Sequence, residues 1–135
     1  MLALVCPGQG SQAPGMLAPW LEVPGVAERL RWASAVVGPV GGADAGAEGA
    51  ERGPLDLLAH GTTSDADTVR DTAVAQPLIV AAGLAAAAAL WPEGLLAAEG
   101  PPDVVVAGHS VGELTAAALS GALSPEAALV LVRER

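Results

Sequence analysis

The chain has 135 residues, and its six arginines, absent lysine and 15 acidic residues give a formal net charge of −9. Apolar residues make up 52% and charged residues 16%, which is typical of a folded domain with a core and not of a disordered chain. The acidic excess argues against a nucleic-acid-binding protein, because such proteins normally carry a basic patch. The single cysteine, Cys6, excludes an internal disulfide and a zinc finger.

The first apolar segment predicts a β-strand. Residues 2–6 (LALVC) are uniformly apolar and of strand length, as in a parallel-sheet strand covered on both faces. No cationic segment precedes them, so a secretory signal is not indicated. The longest uncharged apolar run, residues 78–91, has 14 residues, whereas a transmembrane helix needs about 20. We therefore expect a buried helix there, and a cytoplasmic protein without a membrane partner.

Loops and helical patterns alternate after this strand. Residues 7–15 are rich in Gly, Pro, Gln and Ser and predict a loop. Residues 26–37 carry apolar side chains at helical spacing, whereas residues 38–53 predict a surface loop. A short helix is expected over residues 54–59, followed by a turn at residues 61–63. The predicted buried stripe of the first helix consists of Val26, Leu30, Ala33 and Val37.

Capping residues and prolines mark the next two helices. Ser64 is the predicted N-cap of a short helix, with Asp67 completing an S-x-x-D capping box. The Gln-Pro pair at residues 76–77 predicts the start of a longer helix, because proline is favoured at the first helical position. The Trp-Pro pair at residues 91–92 predicts its end.

A second strand and two more helices complete the pattern. Residues 103–107 are rich in β-branched side chains and predict a strand, and residues 113–119 predict a helix. Ser124, followed by Pro125 and Glu126, predicts the cap of a last helix that continues to the end of the chain. The order strand, helices, strand, helix is that of an α/β fold with right-handed crossovers.

The pentapeptide GHSVG at residues 108–112 has the pattern of a nucleophile elbow, in which a serine stands on a tight strand-to-helix turn. Glycines are needed because flanking side chains would collide in that turn. Ser110 would then lie at a helix N-terminus, where unpaired N–H groups and the helix dipole favour a developing anion. The alternative is a glycine-rich turn in which Ser110 only caps the helix.

A second glycine-rich segment, PGQGSQ at residues 7–12, directly follows the first strand. Backbone N–H groups at the carboxyl end of a strand suit a binding site, and an acyl-transfer nucleophile needs an oxyanion hole. The same loop could equally be a simple turn or a phosphate cradle. Nucleotide binding is not indicated, because neither a G-x-G-x-x-G nor a Walker sequence is present.

Together, PGQGSQ, the Gln-Pro pair and GHSVGE at residues 108–113 resemble one family, the malonyl-CoA:acyl-carrier-protein transacylases and the related acyltransferase domains of polyketide and fatty-acid synthases. The resemblance covers essentially all of residues 1–135. Because members of the family are longer, it implies that these residues are the N-terminal part of the catalytic large subdomain. It also implies an α/β-hydrolase-like parallel sheet flanked by helices, incomplete here, with the ferredoxin-like small subdomain lying beyond residue 135.

The resemblance implies a role for several residues. Ser110 would attack the malonyl thioester to give an acyl-serine, and the backbone N–H groups of Gln9 and Val111 would form the oxyanion hole. Arg135 would bind the malonyl carboxylate, since a planar guanidinium binds a carboxylate in a bidentate manner. Arg133 is the alternative candidate for this role. Because Arg133 and Arg135 are two residues apart on a helix, their side chains cannot face the same way.

Gln76 and His109 are possible site-lining residues. Gln76 could equally cap a helix, and His109 adjoins Ser110 but is expected to point away. The general base of the family is a histidine further along the chain than Arg135, so we expect residues 1–135 alone to be inactive. No metal and no cofactor are implied, because the coenzyme A thioester is a substrate. Acyl-carrier protein is the implied protein partner.

Three other functions stay open. An α/β-hydrolase-type esterase or thioesterase uses the same elbow, and a polyketide synthase acyltransferase domain shares the motifs. A non-enzymatic fragment that docks a carrier protein also remains, because the base is missing. Within the family, we favour a free-standing enzyme of fatty-acid biosynthesis, since the first strand begins at Met1.

Overall fold

The computed structural model describes residues 1–38, 55–96 and 103–134. This part of the chain contains two strands, six α-helices and a short 3-10 helix at Ala18–Glu22. The strands are β1 (Leu2–Cys6) and β2 (Val104–Gly108). The helices are α1 (Val26–Val37), α2 (Leu57–Thr62), α3 (Ala66–Arg70), α4 (Thr72–Leu90), α5 (Gly112–Leu119) and α6 (Pro125–Arg133).

The two strands form a parallel sheet, which confirms the predicted fold class. The register sets Cys6 at the end of β1 beside Gly108 at the end of β2. Helix α5 packs against both strands. The expectation that the first strand is covered on both faces is wrong for the described residues, because Val5 of β1 is 74% exposed, and Val105 of β2 on the same face is 53% exposed. These side chains lie on the sheet face opposite α5, since alternate residues of a strand point to opposite faces.

Helix α4 is the centre of the helical layer, in contact with the five other α-helices. Its side chains Leu78 and Val80 are fully buried, together with Leu30 of α1 and Leu129 of α6. By length and composition alone α4 could cross a membrane, but half of its most apolar window is buried inside the structure, as in a core helix. The predicted helix over residues 78–91 is therefore confirmed up to Leu90, and it is buried up to Ala87, whereas Leu90 is exposed.

Helix α1 matches its prediction at both ends, and its four apolar stripe positions are the buried ones. It stops at Gly38, whose φ of 69° lies in the left-handed region that glycine adopts without a side-chain clash. The other predicted elements of the second half are also close to the observed ones. Trp91 caps the end of α4, and Ser124 Oγ accepts a hydrogen bond from Ala127 N–H at 3.1 Å at the start of α6.

The starts of α2 and α3 differ from their predictions because aspartates cap them. Asp56 accepts from the N–H of Ala59, so α2 begins at Leu57 and not at residue 54, and it continues through the predicted turn to Thr62. The N-cap of α3 is Asp65, which accepts from Thr68 N–H at 2.8 Å. The predicted cap, Ser64, is instead hydrogen-bonded to the ring of His60.

Helix α4 begins at Thr72, four residues before the predicted Gln-Pro start, with Asp71 as its N-cap. Pro77 therefore lies inside the helix. It is tolerated because its missing N–H would have bonded the carbonyl of Ala73, an exposed residue in the first turn of the helix. The prediction that the last helix continues to the end of the chain is wrong, because helix α6 ends at Arg133. The predicted loop over residues 38–53 lies outside the described residues, except for Gly38.

Candidate active site

The turn between β2 and α5 has the backbone geometry of a nucleophile elbow. Strand β2 ends at Gly108, helix α5 begins at Gly112, and Ser110 between them has a φ of 56°. Among the described residues Ser110 is the one non-glycine residue with a positive φ. That conformation costs an L-residue about 1–2 kcal/mol, so surrounding contacts must maintain it.

Two glycines permit this turn because no side chain fits at either position. A Cβ on Gly108 would approach the backbone nitrogen of Glu113 to 2.5 Å, and a Cβ on Gly112 would overlap the carbonyl oxygens of Cys6 and Pro7. The end of β1 thus directly contacts the start of α5. A hydrogen bond from His109 N–H to Cys6 O, at 3.1 Å, joins the elbow to β1.

The loop after β1 packs against the elbow. Gly8 is buried, and a Cβ there would lie 2.7 Å from Nδ1 and 2.8 Å from the carbonyl oxygen of His109. The two glycine-rich segments are far apart in the sequence. They meet because their strands are parallel neighbours, which end at the same edge of the sheet.

Within the described residues, the N–H groups expected to form an oxyanion hole have no hydrogen-bond acceptor. Neither Gln9 N–H nor Val111 N–H donates to any acceptor in the part of the chain that the structure describes. Ser110 is exposed, and its hydroxyl likewise has no partner within that part. A serine hydroxyl at a helix N-terminus, with unpaired N–H groups in the adjacent segments, is an arrangement that can stabilise an anion on an attacked carbonyl.

Side chains of α4 hold the Gln9 side chain. Gln9 Nε2 donates to Thr72 Oγ1 at 3.0 Å, and Gln76 Nε2 donates to Gln9 Oε1 at 3.2 Å. The structure thus places Gln76 beside the loop and excludes the alternative that it caps a helix. Sequence reasoning missed Thr72. Its position four residues before Gln76, on the same helix face, is the signal that could have found it.

Comparison with known proteins identifies the family. Residues 3–135 match the family model described as "Acyl transferase domain". This chain belongs to the acyl transferase domain family. The resemblance inferred from the three motifs is thereby confirmed.

Several of the similar proteins and solved structures are named as malonyl transacylases. The "Malonyl CoA-acyl carrier protein transacylase" of Mycobacterium tuberculosis is 45% identical over 136 aligned positions, which cover 100% of this chain and 38% of that protein. A crystal structure of MCAT from Mycobacterium tuberculosis matches with a TM-score of 0.76 and 44% identity, over 98% of this chain and 38% of that one. The structure of a type II PKS acyl-carrier protein in complex with its malonyl-transacylase matches with a TM-score of 0.73 and 30% identity. That match covers 98% of this chain and 37% of the matched one. The chain therefore spans well under half of these relatives.

The structure describes one of the two arginines proposed to bind the substrate carboxylate, Arg133. Arg135 lies outside the described residues. Arg133 Nη1 donates to the carbonyl oxygen of Val37 at 2.8 Å, at the C-terminal end of α1. That contact matches the preference of cations for helix C-termini and engages Arg133 with α1.

Cys6 is a packed thiol, as its place at the end of an apolar strand suggests. Its residue is 6% exposed, and burial raises the pKa of the thiol. A neutral thiol is a weaker nucleophile than a thiolate, so Cys6 does not act as a second reactive group beside the elbow. Among the described residues, no group of three or more His, Cys, Asp or Glu side chains could hold a metal ion.

A cleft of about 640 Å³ lies at the C-terminal ends of α4 and α5, away from the elbow. Its walls include Trp32 of α1, and Trp91 and Leu119 at the C-terminal ends of α4 and α5, whereas Ser110 precedes the N-terminus of α5. Of the residues predicted for the site, those that the structure describes do not line this cleft. Ser110 is exposed and lies outside this cleft.

Proposed function

We propose that this acyl transferase domain is part of an enzyme that transfers a malonyl group from coenzyme A to the phosphopantetheine thiol of acyl-carrier protein, in fatty-acid biosynthesis. Residues 1–135 form the N-terminal part of its catalytic large subdomain, in the cytoplasm. The observation that carries the proposal is the positive φ of Ser110 at the start of α5, beside the loop that contains Gln9. The names of the 45%-identical relatives support the malonyl substrate.

In the first step, Ser110 Oγ attacks the thioester carbonyl carbon, and the hydroxyl proton passes to a general base. The carbonyl oxygen becomes an oxyanion that accepts hydrogen bonds from the N–H groups of Gln9 and Val111. The carbon–sulfur bond then breaks, and coenzyme A leaves as a thiol with the proton from the base. In the second step the base takes the proton of the phosphopantetheine thiol, and the sulfur attacks the acyl-serine carbonyl carbon. The ester carbon–oxygen bond breaks, and Ser110 Oγ receives the proton from the base, which regenerates its hydroxyl.

Two parts of this mechanism lie outside the described residues. Arg135 binds the free carboxylate of the malonyl group, because Arg133 is engaged at the end of α1. The base is a histidine of the remaining chain, since neither His60 nor His109 forms a hydrogen bond with Ser110 in the described part. Without that base, Ser110 is a poor nucleophile, and residues 1–135 alone are inactive.

A polyketide pathway is the second candidate setting for the same reaction. The observation that favours it is the similarity to a malonyl-transacylase in complex with a type II PKS acyl-carrier protein. Identity to that structure is 30%, against 45% to the mycobacterial protein, so fatty-acid biosynthesis remains our first choice.

A chimaera tests the proposed function. Residues 1–135 replace the aligned segment of the Mycobacterium tuberculosis relative, and transfer of radiolabelled malonyl from coenzyme A to acyl-carrier protein is measured. We expect transfer by the chimaera, a malonyl adduct on Ser110 by mass spectrometry, and no transfer by residues 1–135 alone. Ser110→Ala should lower the rate by a factor of at least about 10³.

Ser120→Ala is the matched control, since Ser120 is an exposed serine at the far end of α5. Full activity of the Ser110→Ala chimaera would contradict the catalytic assignment. Net release of malonate without any thiol acceptor, at a rate equal to transfer, would instead indicate an esterase or thioesterase.

A further inference from the structure

The carbonyl oxygen of Gly8 accepts two hydrogen bonds from one residue. Ser11 Oγ donates to it at 2.9 Å, and Ser11 N–H donates to it at 3.3 Å. The hydroxyl therefore makes the shorter of the two bonds. Ser11 has no role in the mechanism above, although it lies in the loop that carries Gln9.

The position of this carbonyl determines where the Gln9 N–H points. Gly8 O and Gln9 N–H belong to one peptide unit, which is planar and trans, so the two bonds point in opposite directions. Whatever holds the carbonyl on one side holds the N–H on the other. The same peptide packs against His109, because a Cβ on Gly8 would overlap that residue.

The next peptide unit is held as well. Gly10 N–H donates to Gln12 Oε1 at 2.8 Å, and Gln12 Nε2 donates to the carbonyl oxygen of Val69 at 3.3 Å. With Gln9 Nε2 bonded to Thr72, the backbone after Gln9 is tied to α3 and α4. The peptide before Gln9 depends on Ser11.

We infer that Ser11 is a positioning residue for the oxyanion hole, because its hydroxyl fixes the peptide whose N–H is the Gln9 donor. The inference rests on the proposed function, in which Gln9 N–H stabilises the oxyanion. Ser11 acts through Gln9 and does not touch the reacting atoms. Loss of its hydroxyl leaves the longer backbone bond alone, so the donor is less well oriented when charge develops on the carbonyl oxygen.

Ser11→Ala in the chimaera tests this role. Removal of a whole oxyanion donor costs about 10²–10³ in kcat, and misorientation costs part of that, so we expect kcat to fall about tenfold. KM for malonyl-CoA should stay within about twofold, because the donor acts on the transition state and not on ground-state binding. Ser11→Thr, which keeps the hydroxyl, should restore kcat.

Ser120→Ala is a closely matched control, because Ser120 Oγ also donates to a carbonyl three residues earlier, that of Ala117, at 3.1 Å. It should leave both constants unchanged. If Ser11→Ala lowers the unfolding midpoint, Ser11→Cys replaces it in the assay, since a thiol fills the same place as a weaker donor. The kcat of the Ser11→Cys chimaera should lie between the kcat of the parent chimaera and the value expected if the whole oxyanion donor were removed.

The outcomes separate the two proposals. An inactive Ser110→Ala chimaera with an unchanged kcat for Ser11→Ala and Ser11→Cys would overturn the role of Ser11 and leave the proposed function in place. A raised KM with an unchanged kcat would also overturn it, as would failure of Ser11→Thr to restore kcat. An active Ser110→Ala chimaera would instead overturn the proposed function itself.

Discussion

At the scale of single residues, the elbow and the loop that packs against it depend on glycines for two different reasons. Gly112 has no room for a Cβ, since the carbonyl oxygens of Cys6 and Pro7 occupy that position. Gly10, in the loop beside it, has a φ of 105° but no atom within 4 Å of where a Cβ would be. One glycine is required by crowding and the other by its backbone conformation.

Alanine at these two positions should therefore have different effects. Gly112→Ala must move backbone atoms of β1 or α5, and we expect a loss of at least about 3 kcal/mol in the free energy of unfolding. Gly10→Ala meets no neighbour and should lose only about 1–2 kcal/mol, the cost of a side chain at positive φ. Urea denaturation of both variants measures the difference, and equal losses would show that crowding at Gly112 is unimportant.

At the scale of elements, the contact between α4 and α5 contains a buried hydroxyl. Thr115 of α5 is 1% exposed, and its Oγ1 has no hydrogen-bond partner in the part of the chain that the structure describes. Gly83 of α4 faces it so closely that a Cβ on Gly83 would lie 2.7 Å from Thr115 Cγ2. The helices can approach because Gly83 lacks a side chain, and the hydroxyl is buried at an energetic cost.

Thr115→Val should stabilise the domain. It keeps the shape of the side chain and removes an unsatisfied polar group, so we expect a gain of about 1 kcal/mol in the free energy of unfolding. Thr63→Val is the control, because Thr63 is exposed and its hydroxyl donates to Ala59 O at 3.1 Å, a bond that the variant loses. Thermal unfolding of both variants compares them. A destabilised Thr115→Val variant would mean that the hydroxyl has an acceptor in solution.

Sequence patterns predicted the elements well where burial decides them and less well where caps do. The stripe of α1 gave both ends of that helix, because each stripe position packs in the core. The starts of α2, α3 and α4 were misplaced by up to four residues, because aspartates just before each start supply the caps. Several residue types can cap, so local sequence does not decide between neighbours such as Ser64 and Asp65.

In the candidate site, too, some features were predictable from the sequence and others were not. Glycine spacing at residues 108–112 predicted the elbow, since local backbone crowding determines that turn. The hydrogen bonds of Gln9 to Thr72 and of Ser11 to Gly8 were not predicted. They depend on how the loop settles against α4 and on side-chain orientation, which a periodic pattern does not contain.

At the scale of the whole molecule, the described part leaves one face of its sheet exposed. Register places Ala3, Val5, Val105 and Ala107 on the face opposite α5, and all four are exposed. Parallel sheets are normally covered on both faces. Since the chain spans 38% of the length of its mycobacterial relative, we expect the remaining polypeptide of a longer acyl transferase to cover this face.

Residues 1–135 expressed alone should therefore self-associate through this face, because an exposed apolar sheet surface with unpaired edges attracts other chains. Sedimentation velocity should show a concentration-dependent increase in mass, which the double variant Val5→Thr, Val105→Thr reduces. Leu90→Thr is the control, because Leu90 is an apolar side chain, 62% exposed, at the end of α4 and away from the sheet. The chimaera should stay at one mass across the same concentrations, since its added residues occupy the sheet face. If Leu90→Thr reduced the association as much as the double variant, general surface hydrophobicity and not the uncovered sheet would be its cause.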